Sequence, residues 1–123
     1  MLQEKNIAII GPGVMGKTLA LSLIRTGNLP PKQIAMAGPN TDRLNQLASE
    51  LGVRTFSDNL AASNAADIVI LAVKPQRLDE ATQTLKGNLS SGKLVISILA
   101  GVPISVLEQK LATRCIVRAM PNT

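Results

Sequence analysis

The residues Gly11-Pro12-Gly13-Val14-Met15-Gly16 have the spacing G-x-G-x-x-G. Glycines so spaced can cradle phosphate. Gly11 would permit a sharp turn, Gly13 has no Cβ to keep a pyrophosphate off the backbone, and Gly16 would let a helix lie close to a strand. The setting favours this chemistry over a glycine-rich loop that only closes a turn. The apolar run Asn6-Ile7-Ala8-Ile9-Ile10 precedes the glycines, and an apolar-periodic stretch begins near Val14. Strand, tight turn and helix would aim the first helical N–H groups, with about half a positive charge from the helix dipole, at the phosphates of a dinucleotide.

A second group of residues bears on which dinucleotide. NAD-binding domains carry Asp or Glu about 20 residues beyond the glycines, at the end of the second strand, to accept from the ribose 2′-OH. Here that strand ends Ala35-Met36-Ala37, and Gly38-Pro39-Asn40-Thr41 follows without an acidic residue. Asp42 falls in the first turn of the next helix, a common place for an acidic residue. With Asn40, Thr41 and Arg43 just downstream, the pattern favours NADP(H), with NAD(H) as the alternative. The Arg43 fork could pair with a 2′-phosphate. Otherwise Arg43 is an ordinary exposed residue and Asn40 only an N-cap.

The elements that must position these residues follow from periodicity. Strands are expected at about 6–10, 33–37, 53–56, 67–73, 94–98 and 115–120. Helices are expected from 14 to 25, across Leu44, Leu47, Ala48 and Leu51, from a Ser57 or Asp58 cap to about 65, near 77–85 with Leu78, Ala81 and Leu85 inward, and after Pro103 with Ile104, Leu107 and Leu111 inward. Strands alternating with helices predict an α/β, doubly wound parallel sheet of about six strands with helices on both faces, a Rossmann-type domain of order 3-2-1-4-5-6. The loops 11–16, 38–41, 72–75, 98–101 and 120–122 would share one rim. No repeat, low-complexity segment or linker interrupts the pattern.

Composition narrows the function classes. The 123 residues make one domain, with one Phe and no Trp or Tyr, so Leu, Ile, Val, Ala and Met must fill the core. That poverty removes stacking platforms for single-stranded nucleic acid. The net charge is +5, but no two of the Lys and Arg residues are adjacent, so no basic tract for nucleic acid or membrane is present. Histidine is absent and Cys115 is the single cysteine, expected as a buried thiol, so no disulfide within the chain or multi-cysteine metal site is expected. No signal-like N-terminus or membrane-length apolar run is evident, and a cytoplasmic protein is expected.

The rim segments resemble one family. Gly11-Pro12-Gly13-Val14-Met15-Gly16-Lys17, Asp58-Asn59, Leu71-Ala72-Val73-Lys74-Pro75-Gln76, Val95-Ile96-Ser97-Ile98-Leu99-Ala100-Gly101 and Val117-Arg118-Ala119-Met120-Pro121-Asn122-Thr123 are similar, in order, to pyrroline-5-carboxylate reductase. The Ala-Val-Lys-Pro and Arg-Ala-Met-Pro-Asn-Thr segments are more specific than the glycines. The resemblance implies reduction of Δ1-pyrroline-5-carboxylate to proline with NAD(P)H, the last step of proline synthesis. It implies cofactor contacts at Gly11–Gly16, Asn59, Ala72, Val73, Lys74, Pro75, Ile98, Leu99 and Ala100. By itself Asn59 reads only as part of a helix start. Leu99 departs from the family's second Ala in an Ile-Ala-Ala-Gly turn, and is expected to fill a gap rather than crowd the cofactor.

The family continues into a helical domain for dimerisation and most of the substrate pocket, which has no counterpart in this sequence. The small imino-acid substrate would therefore need that missing domain, and the chain alone is expected to bind cofactor without being catalytically competent. The surface left uncovered would favour self-association. No catalytic acid stands out: Lys74 reads as a cofactor or loop contact, the Ser97 hydroxyl as a partner for a backbone group, and Asn122 as a residue approaching the nicotinamide. Two other readings stay open. One is a different NADP oxidoreductase completed by a partner, akin to deazaflavin-dependent NADP reductases or β-hydroxyacid dehydrogenases. The other is a non-enzymatic NADP-binding module.

Overall fold

Short apolar runs separated by amphipathic stretches leave each strand needing cover on both faces, and a parallel sheet between helices supplies it. The computed structural model describes residues 5–90 and 92–119. In chain order the elements are β1 (Ile7–Ile10), α1 (Val14–Arg25), β2 (Ile34–Ala37), α2 (Thr41–Leu51), β3 (Arg54–Phe56), α3 (Asn59–Asn64), β4 (Ile68–Leu71), α4 (Leu78–Thr82), β5 (Leu94–Ser97), α5 (Ile104–Leu111) and β6 (Ile116–Arg118). All strand pairs are parallel, in the order β3-β2-β1-β4-β5-β6. This is the doubly wound Rossmann-type order that the sequence predicts.

The period of two along each strand divides the core. Ile7, Ile9, Ile34 and Met36 pack with Ala20 and Leu47 on one face, beneath α1 and α2. Ala8, Ile10, Ala35 and Ala37 pack with Ala62, Leu78 and Leu107 on the other. Alanines on both sides of that second interface let the short α3 lie against β1, β2 and β3. The three buried hydroxyls among the described residues are all bonded: Ser63 donates to Asn59 O, Thr82 donates to Leu78 O, and Ser97 accepts from Leu99 N.

Several expectations shift in detail. The buried side of α1 is centred on Gly16 and Ala20, with Leu19, Leu23 and Ile24 half-buried around them. The helix expected near 77–85 is α over Leu78–Thr82 only. A 3-10 turn at Pro75–Arg77 precedes it, and afterwards Leu85 N and Asn88 N bond three residues back. Thr82 turns its hydroxyl onto the Leu78 carbonyl, a local bond that competes with the regular ladder. Leu78, Ala81 and Leu85 are nevertheless buried as expected.

At the β6 edge the expectation of a buried thiol fails. Cys115 is exposed, and β6 spans Ile116–Arg118 rather than 115–120, of which Met120 lies outside the described residues. Ile116 points into the core, so its neighbours Cys115 and Val117 face the other way, at an edge left to solvent. Ile104, expected inward, sits at the first turn of α5 and is 38% exposed.

Leu107 is fully buried where α5 meets the sheet. Leu107→Ala should lower the unfolding free energy by about 2–5 kcal/mol. Ile104→Ala on the same helix should cost under about 1 kcal/mol. Urea denaturation of both variants checks the contrast, and equal losses would contradict this packing.

Candidate functional site

A parallel sheet brings the C-terminal ends of all its strands to one edge, where the order reverses around β1. Here each strand pairing continues one residue past the strands. Gly11 N donates to Ala37 O at 2.9 Å, Ala72 N to Ile10 O at 2.8 Å, Gly38 N to Phe56 O at 3.2 Å, Ile98 N to Leu71 O at 3.2 Å and Ala119 N to Ser97 O at 2.8 Å. The rim loops that the sequence reading singled out are thus laced together through backbone, as far as Ala119.

The three motif glycines meet different surroundings. Gly11 has φ +114°, and a Cβ there would lie 2.7 Å from the Ala72 carbonyl carbon. A Cβ on Gly16 would lie 2.1 Å from the Gly11 carbonyl oxygen. Gly13 is exposed, and a Cβ on it would meet nothing within 4 Å. Two glycines therefore allow close backbone packing, while the third borders open space at the start of α1.

The start of α1 is also chemically open. Gly13 is its N-cap, with no side-chain capping bond and no acidic residue in the first turn. By contrast, Asn40 Oδ1 caps α2 by accepting from Arg43 N at 3.1 Å, and Asp58 Oδ1 caps α3 by accepting from Leu60 N at 3.0 Å. The first N–H groups of α1 are left for an anion or water. Val14, 83% exposed, begins this helix, and Met15 is half-buried beside it.

Around that opening, Pro12 packs its ring on Gly38, where a Cβ would lie 2.5 Å from the proline Cδ. The Pro12 carbonyl accepts from Arg43 Nε at 2.9 Å. Arg43 is thus drawn to the glycine turn rather than left as an ordinary exposed residue, although Asn40 does act as the N-cap. Its Nη1 also donates to Gln46 Oε1 at 3.2 Å. The contacts of Gly38 and Gln46 were not apparent in the sequence. The spacing of Arg43, Gln46 and Glu50, i, i+3 and i+7, was the available signal.

Asn59, placed at the rim as the first residue of α3, donates through Nδ2 to Ala81 O at 3.0 Å. Its Oδ1 is buried without a donor among the described residues, an acceptor that a hydroxyl or water would satisfy. Ala72 and Val73 are half-buried against the glycine turn, and Lys74 and Pro75 are exposed. Ile98 is half-buried and Ala100 exposed. Leu99 is 4% exposed within the core, so its side chain fills space beneath the rim. Ser97 Oγ accepts from Leu99 N at 3.2 Å. Asn122 lies outside the described residues.

Elsewhere the surface offers shallow grooves, one of about 450 Å³ lined by Asp79, Thr82, Lys86 and Lys110 and one of about 470 Å³ lined by Ser105, Glu108 and Arg114. Neither involves the rim loops. Among the described residues no His, Cys, Asp and Glu cluster could hold a metal, and no helix is long and apolar enough to cross a membrane.

Comparison with known proteins agrees with this fold. Residues 6–101 match the family described as "NADP oxidoreductase coenzyme F420-dependent". A pyrroline-5-carboxylate reductase of Methanosarcina acetivorans is 42% identical over 123 residues, covering 98% of this chain and 45% of the relative. A solved pyrroline-5-carboxylate reductase of Coxiella burnetii is 37% identical with a TM-score of 0.87, over 97% of this chain and 44% of that one. The Plasmodium falciparum pyrroline carboxylate reductase, solved with NADP bound, is 27% identical with a TM-score of 0.82, over 98% of this chain and 43% of that one. The chain spans less than half the length of these relatives. Fold and homology support binding of an NADP(H)-type dinucleotide. By its motif-bearing rim and by this sustained similarity, the chain belongs to the family described as coenzyme F420-dependent NADP oxidoreductases and is homologous to the pyrroline-5-carboxylate reductases.

Proposed function

We propose that this chain is the NADP(H)-binding Rossmann domain, residues 1–123, of an enzyme that reduces Δ1-pyrroline-5-carboxylate to proline. The observation that carries the reading is the uncapped start of α1 at an exposed Gly13, between Gly11 and Gly16, which are packed to backbone contact. Gly13 and the first N–H groups of α1 would receive the pyrophosphate. Arg43 and Asn40 would border the adenosine ribose and its 2′-phosphate. The buried Asn59 Oδ1 would accept from a cofactor hydroxyl. Ala72, Val73, Lys74 and Pro75, with Ile98, Leu99 and Ala100, would line the path towards the nicotinamide, where Asn122 is also proposed to lie. When bound, the cofactor supplies a hydride. The residues of this chain hold and orient it, and the region of the relatives that this chain does not span would hold the imino acid.

A second reading, another NADP oxidoreductase completed by a partner, draws support from the F420-dependent family match at 6–101. The similarity to pyrroline-5-carboxylate reductases runs over 98% of the chain and favours the first.

Calorimetry should find NADPH bound more tightly than NADH, because no carboxylate ends β2 to repel a 2′-phosphate. Equal or reversed affinities would count against NADP(H).

Gly13→Val should remove dinucleotide binding while circular dichroism stays near wild type. The N-cap φ of −79° suits any L-residue, and no protein atom lies within 4 Å of the added Cβ. Retained binding would sink the role of this turn.

A steady-state assay with NADPH and pyrroline-5-carboxylate should show little or no turnover for this chain. A chain extended by the helical region of the relatives should turn over, because hydride transfer needs both reactants held in near-attack geometry. Similar rates for both would place the substrate site within residues 1–123.

A further inference from the structure

Arg43, Gln46 and Glu50 share one face of α2, turned towards α1 and the glycine turn. Four side chains form one hydrogen-bonded chain there. Lys17 Nζ donates to Glu50 Oε2 at 2.7 Å, and Gln46 Nε2 donates to Glu50 Oε1 at 3.1 Å. Arg43 then donates through Nη1 to Gln46 Oε1 at 3.2 Å and through Nε to Pro12 O at 2.9 Å.

The direction of this chain follows from donor and acceptor types. A carboxylate only accepts, so Glu50 must face the amide nitrogen of Gln46. The amide oxygen is then left for a guanidinium, which only donates. A reversed Gln46 would set carbonyl against carboxylate and NH2 against guanidinium. Glu50 therefore selects the orientation of Gln46, and Gln46 together with the Pro12 carbonyl fixes the Arg43 plane.

The Lys17 ammonium beside Glu50 holds its carboxyl below the usual range, and the Gln46 amide and Arg43 charge act in the same direction against partial desolvation. Glu50 thus remains an ionised acceptor at neutral pH. The Lys17–Glu50 pair is open to solvent, with side chains 31% and 40% exposed, so it adds little stability; its effect is on orientation. A guanidinium has five N–H donors, and the two bonds above leave three without a protein partner among the described residues.

We propose that Gln46 and Glu50 are positioning residues for cofactor selectivity, holding the free N–H groups of Arg43 beside the glycine turn for the 2′-phosphate of NADP(H). The inference rests on the reading of Arg43 given above. It also means that Arg43→Ala removes a tie to Pro12, so the informative quantity is a ratio of affinities.

The test is calorimetry with NADPH and NADH on this chain and its variants, read as Kd(NADH)/Kd(NADPH). Gln46→Ala and Glu50→Ala should each lower the ratio by about two- to tenfold, with NADH affinity unchanged. Arg43→Ala should lower it by about ten- to a hundredfold. In the Arg43→Ala background, adding Gln46→Ala should change the ratio no further, because Gln46 acts only through Arg43. NADH binding serves as the folding control, and Glu50→Gln, which keeps the volume but not the charge, replaces Glu50→Ala if that variant binds neither cofactor. A ratio unmoved by both Gln46→Ala and Glu50→Ala, or a Gln46 effect that persists without Arg43, overturns the inference. If Arg43→Ala leaves the ratio unchanged, the phosphate role of Arg43 fails first, and the inference with it.

Discussion

At the C-terminal end of β1 there is room for backbone and for nothing larger. A Cβ on Gly16 would stand 2.1 Å from the Gly11 carbonyl oxygen, and one on Gly11 would stand 2.7 Å from the Ala72 carbonyl carbon. Gly11 also holds φ +114°, a conformation that side chains resist. These contacts draw the start of α1, the end of β1 and the loop after β4 to one point. That point is where the sheet order reverses, with β2 on one side of β1 and β4 on the other. Widening any of these contacts would separate α1 from the sheet edge and open the rim.

The close packing of Gly11 and Gly16 sets off the open glycine between them. Gly13 lies between the two crowded glycines, yet nothing lies within 4 Å of where its Cβ would be. A helix of twelve residues begins there with no capping side chain. The neighbouring helices show that this chain can cap its helices, since Asn40 and Asp58 do so. An uncapped helix start beside the crowded glycines leaves its first N–H groups open to an anion or water.

Around this centre the second helix adds both core and charge. Leu44 and Leu47 bury one side of α2, while Arg43, Gln46 and Glu50 carry a polar chain from Lys17 to the Pro12 carbonyl. The same element therefore packs the sheet and reaches the glycine turn from its polar side. Asn59 does the equivalent from the other side of the sheet, tying α3 to α4 and leaving a buried acceptor at the rim.

Element types, the strand order and the tight glycine turn between β1 and α1 were legible in the sequence because each depends on local pattern: periods of two and 3.6, glycine and proline positions, and the rule that parallel strands share one edge. The burial of Leu78, Leu85 and Leu107 followed from the same periods. What lay beyond reach depended on which distant surfaces meet. Cys115 sits in an apolar run, yet the edge position of β6 leaves it exposed. Ile104 has the right spacing for the core, but the first turn of α5 lies at its margin. The Arg43 contact with Pro12 spans 31 positions, and the Lys17 pair with Glu50 spans 33. No local period encodes such separations. They exist because the sheet sets α1 and α2 side by side on one face, and only the tertiary structure decides which side chains then come within bonding distance.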